Sequence, residues 1–211
     1  MTQAEPLGSL VTVRTGVPFS RVRRVAPEAA LEADPKDGPD AAPADGSGEP
    51  ASVRVLVPAA MTGDGIDDAG LALELVSGVN QEFLTREGDI VIKTSTPYNS
   101  VFVDAAHSGL LVTSLCLILR SHPESKVDMR YLAAYLSCDR AARELRSMSK
   151  GTGVQLIKKR DLEMMPVPVL PAEAQRRVAD AFEQVRALKE LCRRFERQSD
   201  LLLESELDRL L

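Results

Sequence analysis

The chain has 211 residues, 27% charged and 44% apolar, with a net charge of −5. That is the balance of a soluble globular protein with one good-sized core and an appendage, or two small units. Cys116, Cys138 and Cys192 are odd in number and form no Cys-x-x-Cys pair, which argues against a disulfide framework or a metal site and for reduced thiols.

Met1-Thr2-Gln3-Ala4-Glu5-Pro6 has no basic start followed by an apolar run, so no secretion signal is expected. The longest nearly apolar run, Leu110 to Leu119, is about half of what a membrane span needs. A cytoplasmic protein without membrane contact is the expectation. Leu7 to Thr15 reads as a short apolar segment running into the turn Gly16-Val17-Pro18. Arg21, Arg23 and Arg24 then form a small basic cluster, readable as a solvated strand edge or as a phosphate contact.

Residues 26–50 hold seven acidic groups against Lys36 alone, a local charge of −6 that leaves the rest of the chain at +1. Net acidity therefore does not exclude a nucleic-acid partner. This stretch has almost nothing large enough to bury and is expected to be a flexible acidic insert. Strand-like sequence resumes directly after it, at Ser52 to Val57. Met61 to Gly70 is a Gly/Asp-rich loop whose Asp64, Asp67 and Asp68 lack the twelve-residue calcium pattern ending in Glu.

Glu87-Gly88-Asp89 is turn chemistry, and Ile90-Val91-Ile92 is a buried-strand run. The polar loop Lys93-Thr94-Ser95-Thr96-Pro97-Tyr98-Asn99-Ser100 follows, before a second strand at Val101-Phe102-Val103. Leu110 to Leu119 reads as one central strand with Cys116 in the core. Val127 to Leu145 has helical spacing, with Asp128 placed to cap its start. Gly151-Thr152-Gly153 makes a loop able to approach another molecule closely, flanked by Arg146 and Lys150. Val154 to Ile157 reads as a short strand leading to Lys158-Lys159-Arg160.

Pro166, Pro168 and Pro171 forbid a helix interior, so 165–170 should be a stiff extended connector. Beyond Pro171, from Ala172 to Leu211, the chain has neither Pro nor Gly. That is about 40 residues, or roughly 60 Å of helix. Val178, Phe182, Val185, Leu188, Cys192, Phe195 and Leu202 recur mostly at steps of three and four, a coiled-coil-like seam that shifts at Leu201-Leu202-Leu203. A helix of this length needs a partner outside its own domain.

The chemistry of catalysis is thin. There is no phosphate-binding or dinucleotide glycine loop. The chain has two histidines, His107 and His122. Asp104, His107 and Ser108 lie too close along one turn to do more than bond locally, so an enzyme in its own right is not expected. What remains is binding. Arg146, Lys150, Lys158, Lys159 and Arg160 would attract phosphate, and Lys93, Thr94, Ser95, Thr96, Tyr98 and Asn99 offer groups suited to base edges. Composition alone reads both equally well as a solvated face and an ordinary polar loop.

The order of these features resembles the specificity subunit of Type I restriction-modification systems. The residues that carry the resemblance are Gly88-Asp89-Ile90-Val91, Tyr131-Leu132 through Leu136, Gly151-Thr152-Gly153 with Val154 to Ile157, Asp161-Leu162, and Pro166-Val167-Pro168 through Pro171 to Gln175. It is clearest over 84–185, with a weaker echo at Leu7 to Pro18. The resemblance implies an α/β (α+β) target recognition domain with a mixed sheet, over 1–168, that reads one half of a split double-stranded DNA target. A long coiled-coil-like helix, over 169–211, would serve for spacing and dimerisation. It further implies methyltransferase and restriction subunits as partners. The chain itself would be non-catalytic and hold no cofactor, S-adenosylmethionine belonging to the partner.

This sequence has one such domain and one such helix where the usual subunit has two of each. A homodimer through the helix would restore the arrangement and make the target symmetric; a fragment or decayed copy is the other reading. The acidic insert supports an alternative from another class, a protein-interaction module of the same fold that oligomerises through its helix without binding DNA.

Overall fold

The computed structural model describes residues 3–18, 23–24, 51–148 and 156–210. Over these the chain runs β1 (Gln3–Pro6), the one-turn α1 (Leu7–Leu10), β2 (Val11–Thr15), β3 (Arg23–Arg24), β4 (Ala51–Leu56) and β5 (Ala72–Ser77). Then come β6 (Ile90–Lys93), β7 (Ser100–Phe102), β8 (Leu111–Val112) and β9 (Cys116–Ser121). Helices α2 (Met129–Leu136), α3 (Asp139–Met148) and α4 (Lys159–Glu163) precede β10 (Pro166–Val169) and the 39-residue α5 (Ala172–Leu210). The acidic insert lies outside the described residues.

The central sheet has the order β2-β9-β6-β7, antiparallel throughout. Side chains alternate across a strand, and here both faces are apolar. Ile90, Ile92, Leu117 and Leu119 point to one side, into a core completed by Leu132, Leu136, Leu145 and Leu162 of the helices. Val91, Cys116 and Ile118 point to the other, against Leu56, Met61, Ile66 and Val112. Each fully buried leucine contributes roughly 1.5–3 kcal/mol of transfer free energy. That two-sided burial is why the run Ile90-Val91-Ile92 shows no polar alternation.

Leu110 to Leu119 is not one strand. It breaks at Thr113-Ser114-Leu115, where the Cys116 N–H donates back to the Thr113 carbonyl at 3.0 Å. β8 joins the second sheet, ordered β3-β5-β4-β8 and mixed because β4 and β8 run parallel, while β9 joins the central one. Gly16 permits the corner: a Cβ there would sit 2.2 Å from the Thr113 carbonyl oxygen and 2.5 Å from that of Val112. β5 was not foreseen at all.

The expected single helix over 127–145 is two. Asp128 caps α2 as anticipated, its carboxylate accepting from the Arg130 N–H at 2.8 Å. The chain then tightens after Leu136, where the Cys138 N–H reaches back only three residues to Tyr135, and restarts at Asp139. Leu156 makes an isolated bridge to Ser95 where a short strand was expected; Val154 and Gln155 lie outside the described residues.

The proline connector is more than a spacer. Its residues 166–169 form β10, which pairs antiparallel with β1, Gln3 opposite Val169 and Pro6 opposite Pro166. A two-stranded sheet tolerates prolines because each strand has an unpaired edge. α5 leaves directly from this sheet and extends roughly 58 Å.

Candidate nucleic-acid interface

The loop after β6 and the segment entering α4 are sixty residues apart in sequence and meet through main chain. The Ile157 N–H donates to the Thr94 carbonyl at 2.8 Å, and Leu156 bridges to Ser95. The Thr94 N–H and hydroxyl both donate to the Leu115 carbonyl, at 3.0 and 2.9 Å. The β8–β9 corner, the 94–95 segment and the 156–157 segment are thereby tied together. Lys158, Lys159 and Arg160 follow at once and are all exposed, with Lys93 half-buried at the end of β6. Lys159 pairs with Glu163 at 3.6 Å.

Part of the expected reading loop turns inward. Tyr98 is buried in the helix-side core, and the buried Thr94 directs its hydroxyl to Leu115. The Asn99 side-chain amide donates to the Met61 carbonyl at 3.1 Å. These three side chains are engaged within the protein and hold the loop's shape, where the sequence offered them to base edges. Ser95, half-buried, and Thr96, exposed, remain at the surface. Arg146 is exposed in the last turn of α3; Lys150, Gly151, Thr152 and Gly153 lie outside the described residues.

α5 presents two different surfaces. Gln175, Ala179, Phe182, Arg186, Lys189 and Arg193 follow in steps of four and three and face the domain. Gln175, nearly fully buried, accepts from the Asp128 N–H at 2.8 Å and donates to the carbonyls of Lys126 (3.0 Å) and Leu170 (2.8 Å). Phe182 meets Phe102 edge-on, and the Arg186 guanidinium lies over both rings while reaching Asp104 at 3.2 Å. Burial pushes the Asp104 carboxyl up, but the His107 hydrogen bond and the Arg186 charge outweigh it and hold the group below the usual aspartate range. Lys189 pairs with Asp64 at 2.7 Å, and Arg193 donates to the carbonyls of Asp64 and Ile66.

The other surface of α5 is apolar and open. At 3.6 residues per turn, Leu188, Leu191, Phe195 and Leu202 form one row and Val178, Val185, Cys192, Leu203 and Leu207 a second, roughly a quarter-turn away. All are exposed, Phe195 by 70%. Beside Val178 the stripe runs into an open groove of about 550 Å³ between α2 and β10, lined by Tyr131, Tyr135, Cys138 and Leu170.

No family profile and no curated protein matches this chain. Solved structures do. The HsdS subunit from Thermoanaerobacter tengcongensis superposes with a TM-score of 0.53 at 18% identity, over 96% of this chain and 47% of its own. A chain from a structure of complex assembly and conformational transition in the type I R-M system gives 0.57 at 17% identity, over 99% of this chain and 43% of its own. The fold is that of an HsdS subunit. This HsdS-like chain spans less than half the length of the structures it matches.

Of the seam residues expected on the HsdS-like helix, Val178, Val185, Leu188, Cys192, Phe195 and Leu202 lie on the open side, whereas Phe182 packs against the domain. The anchoring cations Arg186, Lys189 and Arg193 were missed, as was Leu191. Their signal was present: the four-three steps from Gln175 to Arg193 mark a face as regular as the apolar one. Leu115 and Leu156, both about half exposed against Thr94 and Ser95, were also missed. Among the described residues no group of three or more His, Cys, Asp or Glu is placed to hold a metal ion, and no helix is long and apolar enough to cross a membrane.

Proposed function

We propose that this chain is a DNA sequence-recognition (specificity) subunit of a Type I restriction-modification system, reading one half of a bipartite duplex target. One observation carries the reading: on an HsdS fold, main-chain bonds tie Thr94 and Ser95 to Ile157 and Leu156, directly before the exposed cationic run Lys158-Lys159-Arg160. Cations neutralise phosphate and hold the duplex in register, while short hydroxyl side chains reach base edges. The open apolar side of α5 takes a second copy of the same helix, which sets the distance between two recognition domains and makes the target a symmetric, interrupted repeat. Methyl transfer, with its S-adenosylmethionine, and cleavage belong to the methyltransferase and restriction subunits that this chain directs.

Retardation of duplex DNA over a range of salt tests the reading. Affinity should fall linearly on logarithmic axes, with a slope set by the phosphates neutralised. A chain that retards no duplex at low salt, with or without a methyltransferase subunit, is instead an oligomerising protein-interaction module of this fold.

A further inference from the structure

Leu115 and Leu156 are 53% and 46% exposed, among the few large apolar side chains the domain leaves in water outside α5. A scattered surface leucine needs no explanation. These two are not scattered: Leu115 is bound through its carbonyl to Thr94, and Leu156 is bridged to Ser95. Both residues therefore border the 94–95 segment, next to the exposed Thr96. Leu115 is also held in place, because its carbonyl takes two hydrogen bonds from Thr94 and the corner is closed by Cys116 to Thr113. The surrounding charge, Lys93 and Lys158 through Arg160, suits a polyanion and not an apolar protein partner.

An apolar knob beside hydroxyl donors is the complement of one base-pair edge. In the major groove thymine presents an O4 acceptor next to a C5-methyl group, and adenine an N7 acceptor, whereas unmodified G·C pairs offer no methyl at all. We propose that Leu115 and Leu156 read thymine methyl groups, with Ser95 and Thr96 donating to the neighbouring acceptor atoms, so that this surface selects A·T pairs within its half-site. The proposal rests on the DNA-recognition reading above and names the base chemistry it prefers.

Duplexes enriched by the full chain from a randomised short-duplex pool provide the probe, resynthesised with deoxyuridine replacing thymidine one position at a time. At one or more positions the loss of the methyl should weaken wild-type binding about fourfold, the worth of about one buried methyl group. The variant Leu115→Ala with Leu156→Ala should bind the thymidine and deoxyuridine forms alike, with an unchanged salt slope and melting temperature. Deoxyuridine that costs nothing at any position, or a variant that keeps the full loss, overturns the proposal while leaving DNA recognition intact. If no duplex is enriched at all, the recognition reading fails and takes this inference with it.

Discussion

Asp89 and Arg120 face each other across neighbouring strands and share two hydrogen bonds, Nε to Oδ1 at 2.9 Å and Nη2 to Oδ2 at 2.6 Å. Asp89 also accepts from the Arg86 N–H, and Arg120 also donates to the Leu84 carbonyl. The aspartate of the Gly88-Asp89-Ile90 turn thus ties the turn to the central sheet. Removing one partner strands a buried charge: Asp89→Ala should cost about 3–5 kcal/mol in urea unfolding. Replacing both, as Asp89→Leu with Arg120→Met, should recover most of that. A double variant no more stable than the single one would assign the cost to packing.

At the proposed interface, Lys158→Ala and Arg160→Ala should each weaken binding to all duplexes alike and reduce the salt slope by about one. Selective loss on one sequence would make that residue a base reader.

Tyr98→Ala should act on the fold and not on sequence preference. Truncating a buried aromatic costs about 3–5 kcal/mol, visible as a lower melting temperature. A fully stable Tyr98→Ala protein with altered preference would return the ring to the interface.

Pairing through the open side of α5 predicts that Leu188→Glu with Phe195→Glu sediments as a monomer with unchanged helix content. Cys192, exposed on that stripe, should be alkylated faster in the variant than in the wild type. Cys116 provides the internal control. Burial pushes its thiol up to about 11, so at pH 8 it should react only on unfolding. Equal Cys192 rates in both proteins would argue against a paired helix.

Acid should loosen the α5 contact at Arg186 and the start of α2 beside Gln175. Burial raises the Asp104 and Asp128 carboxyls, but His107 in one case and Arg130 in the other, with nearby cations, outweigh it and leave both below the ordinary value. A carboxyl with a depressed folded pKa contributes stability that is present above the unfolded value of about 3.9. That contribution is lost as pH falls through the lower folded value. Urea midpoints should therefore drop below about pH 4, and Asp104→Asn should flatten the fall. An identical acid profile in that variant would remove Asp104 from the account.

Local signals were legible in the sequence. The prolines marked where the long helix begins, Asp128 marked the start of α2, and Ile90-Val91-Ile92 a strand buried on both faces. What stayed hidden depends on contacts between distant residues. Leu110 to Leu119 turns a corner only because Gly16 leaves room for two carbonyls. β5 breaks the alternating pattern, since Leu73 is exposed where a polar residue would mark the outer face. Tyr98 and Asn99 have the chemistry of base contacts, and only the position of Met61 and the helix-side core shows that they are already engaged. Phe182 shares its spacing with Val178 and Val185, and Phe102 decides which way it points.

The pairing of β1 with β10 has a consequence for synthesis on the ribosome. As it emerges, β1 has no partner until about 160 residues later, and contacts of such long range slow folding. Until then Gln3–Pro6 is an unpaired edge, kept poor at recruiting other chains by its four-residue length and its proline. α5 emerges after the domain, and its Gln175 bonds to the Asp128 N–H and the Lys126 carbonyl only once the domain presents them. Orderly assembly thus runs from domain to helix, and a nascent chain cannot seat its helix before it has closed the domain.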